Sequence, residues 1–310
     1  MPSPRFSVVI CAYTEDRLEH IAAAVESVRG QSHPSAEIIL VVDNNPALYK
    51  RLTASLPDVL LAENAEDSGL SGARNTGVAL ARGEIIAFLD DDATADPDWL
   101  KYLDQAYAAP EVIGVGGMTV PRWQTARPRW FPEEFDWVVG CNYAGMPASG
   151  QPVRNLLGAN MSFRRQAFEL VDGFRTGIGR TAHGRPLGCE ETEFCIRLGQ
   201  VSPGSRLTFE HRAVARHFVP GSRCKFSYFT SRCYAEGISK AQVTGTVGST
   251  DGLSAERSYT TRTLPMGVLN GLASPFRGDV GGLGRAAAIV AGLSCTVAGY
   301  VAGLSRSRRH

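Results

Sequence analysis

The 310-residue chain is 44% hydrophobic and 20% charged, which supports a large buried core and excludes a disordered protein. Its 32 Lys and Arg residues nearly balance 31 Asp and Glu residues, so no overall positive field is available for binding nucleic acid. The seven cysteines form no CxxC pair, and the N-terminus lacks the residue order of a signal peptide. We therefore expect reduced thiols and a cytoplasmic location.

Strand-like and helix-like segments alternate through the first 120 residues. Continuous apolar runs predict strands that are buried on both faces, and apolar residues spaced three and four apart predict intervening helices. The predicted strands comprise residues 6–13, 37–45, 58–64, 84–92 and 112–120. A further helix is expected to be capped by Asp96, with Pro97 in its first turn. This alternation predicts an α/β fold with a mostly parallel sheet.

Polar residues follow three of these predicted strands. Tyr13 and Glu15 follow the first, Asp43 follows the second, and the run Asp90, Asp91, Asp92 ends the fourth. Open α/β sheets bind ligands beyond the carboxyl ends of their strands. The three strand ends therefore predict one binding crevice.

The turn after the first strand reads CAYTEDR and contains no glycine. It cannot approach a pyrophosphate as a GxGxxG turn does, and the chain has no GxxxxGK[ST] loop, so nicotinamide dehydrogenases and P-loop NTPases are disfavoured. A nucleotide site without a glycine-rich loop is the interpretation that remains. In such a site Asp43 could accept a hydrogen bond from a base, with Arg74 nearby in the stretch GLSGARNTG.

Three adjacent aspartates after a buried strand repel one another unless a positive group lies beside them. Two carboxylates in D-x-D spacing can bind Mg²⁺ or Mn²⁺, which usually keeps part of its coordination shell for phosphate oxygens. A solvated acidic turn is the alternative interpretation of the same residues. Because the run follows the apolar stretch EIIAFL, we favour a metal site.

The pattern changes after residue 120. Residues 121–147 are rich in Pro, Arg and Trp and give no regular prediction; they either cover the core or form a platform for a second substrate. A strand-to-helix pattern follows over 158–174. The stretch CEETEFCIRLGQ then predicts an acidic-headed helix in which Glu193 and Arg197 are spaced for an i,i+4 pair.

Residues 286–304 carry no charged side chain and are close to the minimum length for crossing a bilayer. Their Ala and Gly content and the flanking arginines favour a helix that lies on or re-enters a membrane over one that spans it. A helix packed within the protein is the other interpretation.

Taken in order, these motifs resemble those of the inverting family 2 glycosyltransferases, which have a GT-A fold. The resemblance covers most of residues 5–240 and rests on SVVICAYTEDR, VVDNN, GLSGARNTG, FLDDDA, GANMSFRR, GCEETEFCIRL and HFVP. It implies a Rossmann-like nucleotide-sugar-binding half over 1–120 and an acceptor-binding, catalytic half over 121–240. C-terminal helices that can associate with a membrane would occupy 241–310.

The resemblance also implies roles by position. The metal, Mn²⁺ or Mg²⁺, would be held by Asp92 and His217, and the general base would be Glu191, with Glu190 and Glu193 as alternatives because the family usually has E-D here. The implied nucleotide-sugar side comprises Ala12, Tyr13, Glu15, Asp43, Arg74, Asp90 and Asp91. The implied acceptor side comprises Trp130, Asn160 and Glu190.

The activity implied by the resemblance is metal-dependent, inverting transfer of a sugar from a nucleotide diphosphate sugar, with UDP-sugar expected, to a glycolipid, polyprenyl-linked or polysaccharide hydroxyl. A looser likeness is to transferases acting on polyprenyl- or dolichyl-phosphate-linked sugars, including glucuronosyl-transferring members. Cell-envelope glycan synthesis at the inner membrane face, with peripheral membrane contact and no nucleic acid partner, is the expected setting. The alternatives are a sugar nucleotidyltransferase that releases pyrophosphate and a non-catalytic sugar- or lipid-binding module.

Overall fold

The structure is a computed structural model that describes residues 6–177, 188–248 and 254–307. These residues fall into two compact units. The first unit contains residues 6–120, 147–177 and 190–217, and the second contains 121–146, 188–189, 218–248 and 254–307. The functional division expected at residues 120 and 240 stays a prediction.

The strands form one eight-stranded sheet in the order β3-β2-β1-β4-β7-β6-β8-β5. Their bounds are β1 Phe6–Ala12, β2 Glu37–Val42, β3 Leu60–Glu63, β4 Ile85–Asp90, β5 Ala93–Ala95, β6 Val112–Trp123, β7 Asn160–Arg164 and β8 Arg206–Val219. Strands β1 to β4 are parallel, whereas β7 pairs antiparallel with β4 and β6, and β5 pairs antiparallel with β8. The predicted α/β class with a mostly parallel sheet is confirmed.

The helices of the first unit are α1 Leu18–Arg29, α2 Pro46–Ser55, α3 Leu70–Leu80, α4 Trp99–Ala106, α5 Arg165–Val171 and α6 Glu190–Val201. The prediction that Asp96 caps α4 is wrong. The helix begins at Trp99, and the Asp96 carboxylate instead accepts two hydrogen bonds from Arg216 at 2.8 and 2.9 Å. The Asp96 carboxylate therefore pairs with the Arg216 guanidinium on β8 and does not cap α4.

The continuous apolar runs arise because the sheet is covered on both faces. Successive residues of a strand point to opposite faces, so Val8 and Ile10 belong to one buried cluster and Val9 belongs to another. Helix α3 lies so close to β1 that a Cβ added at Gly77 would overlap the Val9 side chain. The glycine of the RNTG stretch thus sets how closely α3 approaches the sheet.

In the second unit an aromatic cluster occupies the region that gave no regular prediction. A 3-10 helix spans Glu133–Val139, and Phe131 and Phe135 are each 1% exposed. Their rings pack against Phe229 with centroids 5.5 and 5.2 Å apart. Phe131 and Phe135 therefore belong to the core of this unit, and the half-buried Trp123, Trp130 and Trp137 pack against it.

The remaining helices of the second unit are α7 Phe226–Val247, α8 Ser254–Ser258, α9 Leu264–Ala273 and α10 Gly281–Ser307. On α7, Glu236 lies 3.3 Å from the Lys240 ammonium, which also contacts Glu256 at 2.5 Å. The Cys189 thiol donates to Glu236 at 3.3 Å. None of the seven cysteines, all of which lie in the described residues, forms a disulfide.

Candidate active site

The expected nucleotide-side residues lie at the carboxyl ends of β1 and β2. Ala12 is buried, and its carbonyl accepts a hydrogen bond from the Asp43 backbone N–H at 2.8 Å, which joins the two strand ends. Tyr13 is 53% exposed, and Glu15 forms a surface ion pair with Arg51 at 2.8 Å. These residues are thus brought to one edge of the sheet.

The Asp43 carboxylate organises the loop that precedes α3. It accepts a hydrogen bond from the Asn64 side-chain amide at 2.7 Å and another from the Gly69 backbone N–H at 2.9 Å. Asn64 is not among the predicted site residues, because a single amide after a strand has no distinguishing spacing in the sequence. Asp43 therefore shapes the loop as well as standing at the predicted nucleotide site.

The triple aspartate begins at Asp90, the last residue of β4, and its three carboxylates differ in exposure. Asp90 is half-buried, whereas Asp91 and Asp92 are each 3% exposed. Burial raises the pKa of Asp91 to about 7, and the nearby carboxylates of Asp92 and Asp90 add to this rise. An uncompensated cluster of this kind is costly, as expected from the sequence.

A cation from the protein itself offsets part of this cost. Arg17 lies 2.5 Å from an Asp91 oxygen through Nη1 and 3.2 Å from an Asp92 oxygen through Nη2. Arg17 is not among the predicted site residues, although it ends the CAYTEDR turn that follows the first predicted strand. The available signal was a basic residue in the turn that follows β1, the strand that pairs with β4.

His217 completes a group that can hold a metal ion. Strand β5 pairs with β8 so that Ala93 lies opposite His217, and this register places the His217 Nε2 atom 3.1 Å from Asp92 and 3.8 Å from Asp90. One ligand atom from each of these three side chains lies within 4.8 Å of the others. Two carboxylates and an imidazole form a donor set that fits Mn²⁺ or a similar divalent cation.

Arg74 of α3 is buried and paired. Its guanidinium lies 2.9 Å from Glu190 and donates to the Gly158 carbonyl at 3.3 Å. Burial by itself lowers the pKa of this guanidinium, but the carboxylates of Glu190, Asp90 and Glu191 raise it above its ordinary value. Arg74 therefore stays charged between the aspartate cluster and the start of α6.

The three glutamates at the start of α6 have different surroundings. Glu190 is the buried partner of Arg74, and Glu193 is fully buried between Arg197 and Arg175, each 3.0 Å away. The predicted i,i+4 pair of Glu193 and Arg197 is confirmed. Glu191 is half-buried, so it is the most accessible carboxylate of the three.

Two residues expected on the acceptor side, Asn160 and Trp130, contact other residues of their own units. Asn160 is fully buried; it accepts a hydrogen bond from the Trp99 indole at 2.8 Å and donates to the Ala213 carbonyl at 3.0 Å. Trp130, in the second unit, packs its ring 5.6 Å from that of Phe229. Their acceptor roles stay predictions, and Asn160 has a structural role in joining β7 to its neighbours.

Residues 7–171 match the family model described as Glycosyl transferase family 2, which is more than half of the chain. The chain belongs to this family. It is 36% identical over 240 residues to a glucosyl-dolichyl phosphate glucuronosyltransferase of Haloferax volcanii, covering 76% of each chain. It is also 26% identical to succinoglycan biosynthesis protein ExoM of Rhizobium meliloti, covering 74% of this chain and 71% of that protein. This family 2 protein is therefore a glycosyltransferase, and the expected family and enzyme class are confirmed.

Among solved structures, a mannosyltransferase of Pyrobaculum calidifontis in complex with GDP-Man and Mn²⁺ superposes with a TM-score of 0.60. The match covers 97% of this chain and 87% of that chain at 19% identity. At this identity the likeness concerns the fold, and it agrees with the expected GT-A architecture.

Proposed function

We propose that this family 2 glycosyltransferase transfers a sugar from a UDP-sugar to a hydroxyl of a lipid-linked or polysaccharide acceptor, with inversion at the anomeric carbon. The cluster of Asp90, Asp92 and His217 is the observation that carries this proposal. It lies at the carboxyl end of β4, and Asp43 follows β2, the parallel strand on the other side of β1. The roles of Ala12, Tyr13 and the other expected nucleotide-side residues belong to the same proposal.

The donor side needs positive charge, because a diphosphate leaves poorly unless its developing charge is stabilised. Asp90, Asp92 and His217 would hold the Mn²⁺ or Mg²⁺ that supplies this charge. Arg74 adds a cation whose pKa is raised by the nearby carboxylates, Glu190 first and Asp90 next. Arg17 contacts the buried carboxylates of Asp91 and Asp92 and offsets part of their negative charge.

The acceptor side needs a base, since a hydroxyl is a weak nucleophile until it loses its proton. Glu191 is the best candidate because it is half-buried, whereas Glu190 and Glu193 are buried. A Glu191 oxygen would take the hydroxyl proton while the acceptor oxygen attacks the face opposite the leaving diphosphate. A single displacement of this kind inverts the anomeric configuration.

We also propose that the acceptor is lipid-linked and that the protein works at the cytoplasmic face of a membrane in cell-envelope glycan synthesis. The name of the Haloferax relative includes a dolichyl phosphate substrate, which supports this choice of acceptor class. Residues 281–305 form a helix that is long and apolar enough to cross a membrane by length and composition. Peripheral contact through this C-terminal part fits both observations.

The test begins with donor binding. A panel of UDP-, GDP- and dTDP-sugars is screened by thermal shift with Mn²⁺, Mg²⁺ or EDTA, and a UDP-sugar should raise the melting temperature only when metal is present. Stabilisation by a UDP-sugar in EDTA would contradict metal-dependent binding. A preference for GDP- or dTDP-sugars would replace the proposed donor.

Product analysis then tests the reaction with the selected donor and a polyprenyl- or dolichyl-phosphate-linked sugar. Free nucleoside diphosphate is expected, whereas release of pyrophosphate would contradict glycosyl transfer. Glu191→Gln should lower turnover by about a hundredfold or more with donor binding intact. Wild-type turnover in this variant would move the base to Glu190 or Glu193.

A further inference from the structure

Helix α10 presents an apolar face to solvent. Its large exposed side chains are Leu283, Val290, Val297, Val301 and Leu304, with exposed fractions from 36% to 56%. They are spaced seven, seven, four and three residues apart, so they share one face of a helix. The exposed residues between them are Ala and Ser. A helix face in water normally carries charged residues, and between residues 283 and 304 this exposed face has none.

The same surface continues through the preceding turn and along α9. Phe276 is 94% exposed and Val280 is 65% exposed in the turn between the two helices. On α9, Met266, Leu269 and Leu272 are 50% to 60% exposed. We name α9, residues 274–280 and α10 the C-terminal hairpin.

The inward faces of the C-terminal hairpin are already covered by closely packed helices. A Cβ added at Gly271 would lie 2.7 Å from the Gly282 carbonyl, and one at Gly267 would lie 2.8 Å from Ile289. One added at Gly237 of α7 would lie 2.6 Å from the Tyr300 backbone nitrogen. Packing through small residues is typical of helices in membranes. The exposed apolar face therefore has no role in holding these helices together.

The net positive charge of residues 257–310 favours an anionic partner. Residues 257–310 contain seven arginines and a single aspartate, Asp279. That aspartate is itself paired with Arg285 at 2.5 Å. An apolar helix face bordered by arginines is typical of segments that lie at the surface of anionic membranes.

We propose that the C-terminal hairpin is the membrane-docking surface of this protein and that it lies in the plane of an anionic bilayer. The Phe276 turn and the exposed faces of α9 and α10 enter the acyl boundary, while Arg277 and Arg285 remain among the headgroups. The opposite side of α10 packs on α7, which carries the ionised Glu236 and Lys240. A spanning arrangement would place those charges in hydrocarbon, so in-plane docking is favoured.

This inference deepens the proposed function by naming the residues that make its membrane contact. It is tested without sugar transfer, so the two can fail separately. The full-length protein is mixed with vesicles of phosphatidylcholine containing 30% phosphatidylglycerol and with vesicles of phosphatidylcholine alone, and binding is measured by flotation. We expect binding to the anionic vesicles to be stronger and to weaken as salt is raised.

The decisive variant is the double substitution Leu269→Glu with Phe276→Glu. It should weaken binding to anionic vesicles by about tenfold or more, because carboxylates would enter the apolar boundary. Val201→Glu is the matched control, since Val201 is 53% exposed at the end of α6 in the first unit. This control should bind vesicles within about twofold of the wild type, because Val201 lies outside the hairpin.

Circular dichroism and a Mn²⁺-dependent thermal shift with donor establish that each variant is folded. Wild-type flotation of a folded double variant would overturn the inference. It would also be overturned if the wild type ignored vesicles and formed a lipid-free dimer that the double variant dissociates, because the hairpin would then join two copies. Failure of donor binding with intact vesicle binding would count against the proposed function alone.

Discussion

Arg17→Gln should make the stability of this protein depend strongly on metal. In the wild type, Arg17 contacts Asp91 at 2.5 Å and Asp92 at 3.2 Å, and both carboxylates are 3% exposed. Glutamine keeps a polar side chain of moderate length but removes the positive charge. Two buried carboxylates would then lose a cationic partner and would repel each other more strongly.

The expected loss follows from this geometry. Removing one partner of a buried ion pair costs about 3 to 5 kcal/mol of unfolding free energy. The Arg17 side chain is 17% exposed, so water screens part of the interaction and we take about 3 kcal/mol. For a chain of this size the loss corresponds to a melting temperature lower by about 5 °C.

The assay is thermal unfolding at pH 8 in EDTA and in saturating Mn²⁺. Bound Mn²⁺ supplies positive charge to the same carboxylates, so it should stabilise the variant more than the wild type. Arg216→Gln is the matched control because Arg216 also makes two hydrogen bonds to an aspartate, Asp96, but its side chain is 53% exposed. Its loss should be below about 1 kcal/mol and independent of metal.

Equal destabilisation by the Arg17 and Arg216 substitutions would refute this reasoning. So would an Arg17 variant whose stability loss is the same in EDTA and in Mn²⁺, because the metal and the guanidinium would then act on different groups.

Three further predictions test the site and the fold. Asp92→Asn removes a charged ligand and should weaken Mn²⁺-dependent donor binding at least about tenfold, as measured by calorimetry. The control Asp96→Asn should leave this binding unchanged. Unchanged affinity in the Asp92 variant would remove Asp92 from the metal site. Gly77→Ala should lower the free energy of unfolding in urea by about 1 to 3 kcal/mol, because the new Cβ would overlap Val9 of β1. The control Gly199→Ala places a Cβ that meets nothing within 4 Å and should raise that free energy by about 0.5 to 1 kcal/mol. Equal effects of the two substitutions would refute the close approach of α3 to β1. Burial raises the pKa of Glu236, but the adjacent cations of α7 outweigh it and hold that pKa below its ordinary 4.5, so its stabilisation is present above pH 4.5 and lost as pH falls further. Glu236→Gln should therefore show a smaller loss of unfolding free energy between pH 6 and pH 3, and an unchanged pH profile would contradict this assignment.

The local features of this protein follow from its sequence. The apolar runs that form β1, β2 and β4 are visible in the sequence, because a strand covered on both faces needs apolar side chains at successive positions. The pairing of Glu193 with Arg197 is also readable, since helical geometry alone brings i and i+4 together. The D-x-D run at the end of β4 identifies the acidic edge of the sheet.

Tertiary structure alone decided which distant groups meet at that edge. His217 reaches Asp92 because β5 pairs with β8 in one particular register. Arg17 reaches Asp91 across 74 residues of sequence, and Arg74 reaches Glu190 across 116. Such pairs depend on strand order and on how closely helices approach the sheet, and no periodicity in the sequence encodes either. The sequence alone thus determines the strands and their acidic ends, whereas folding decides which cations neutralise them.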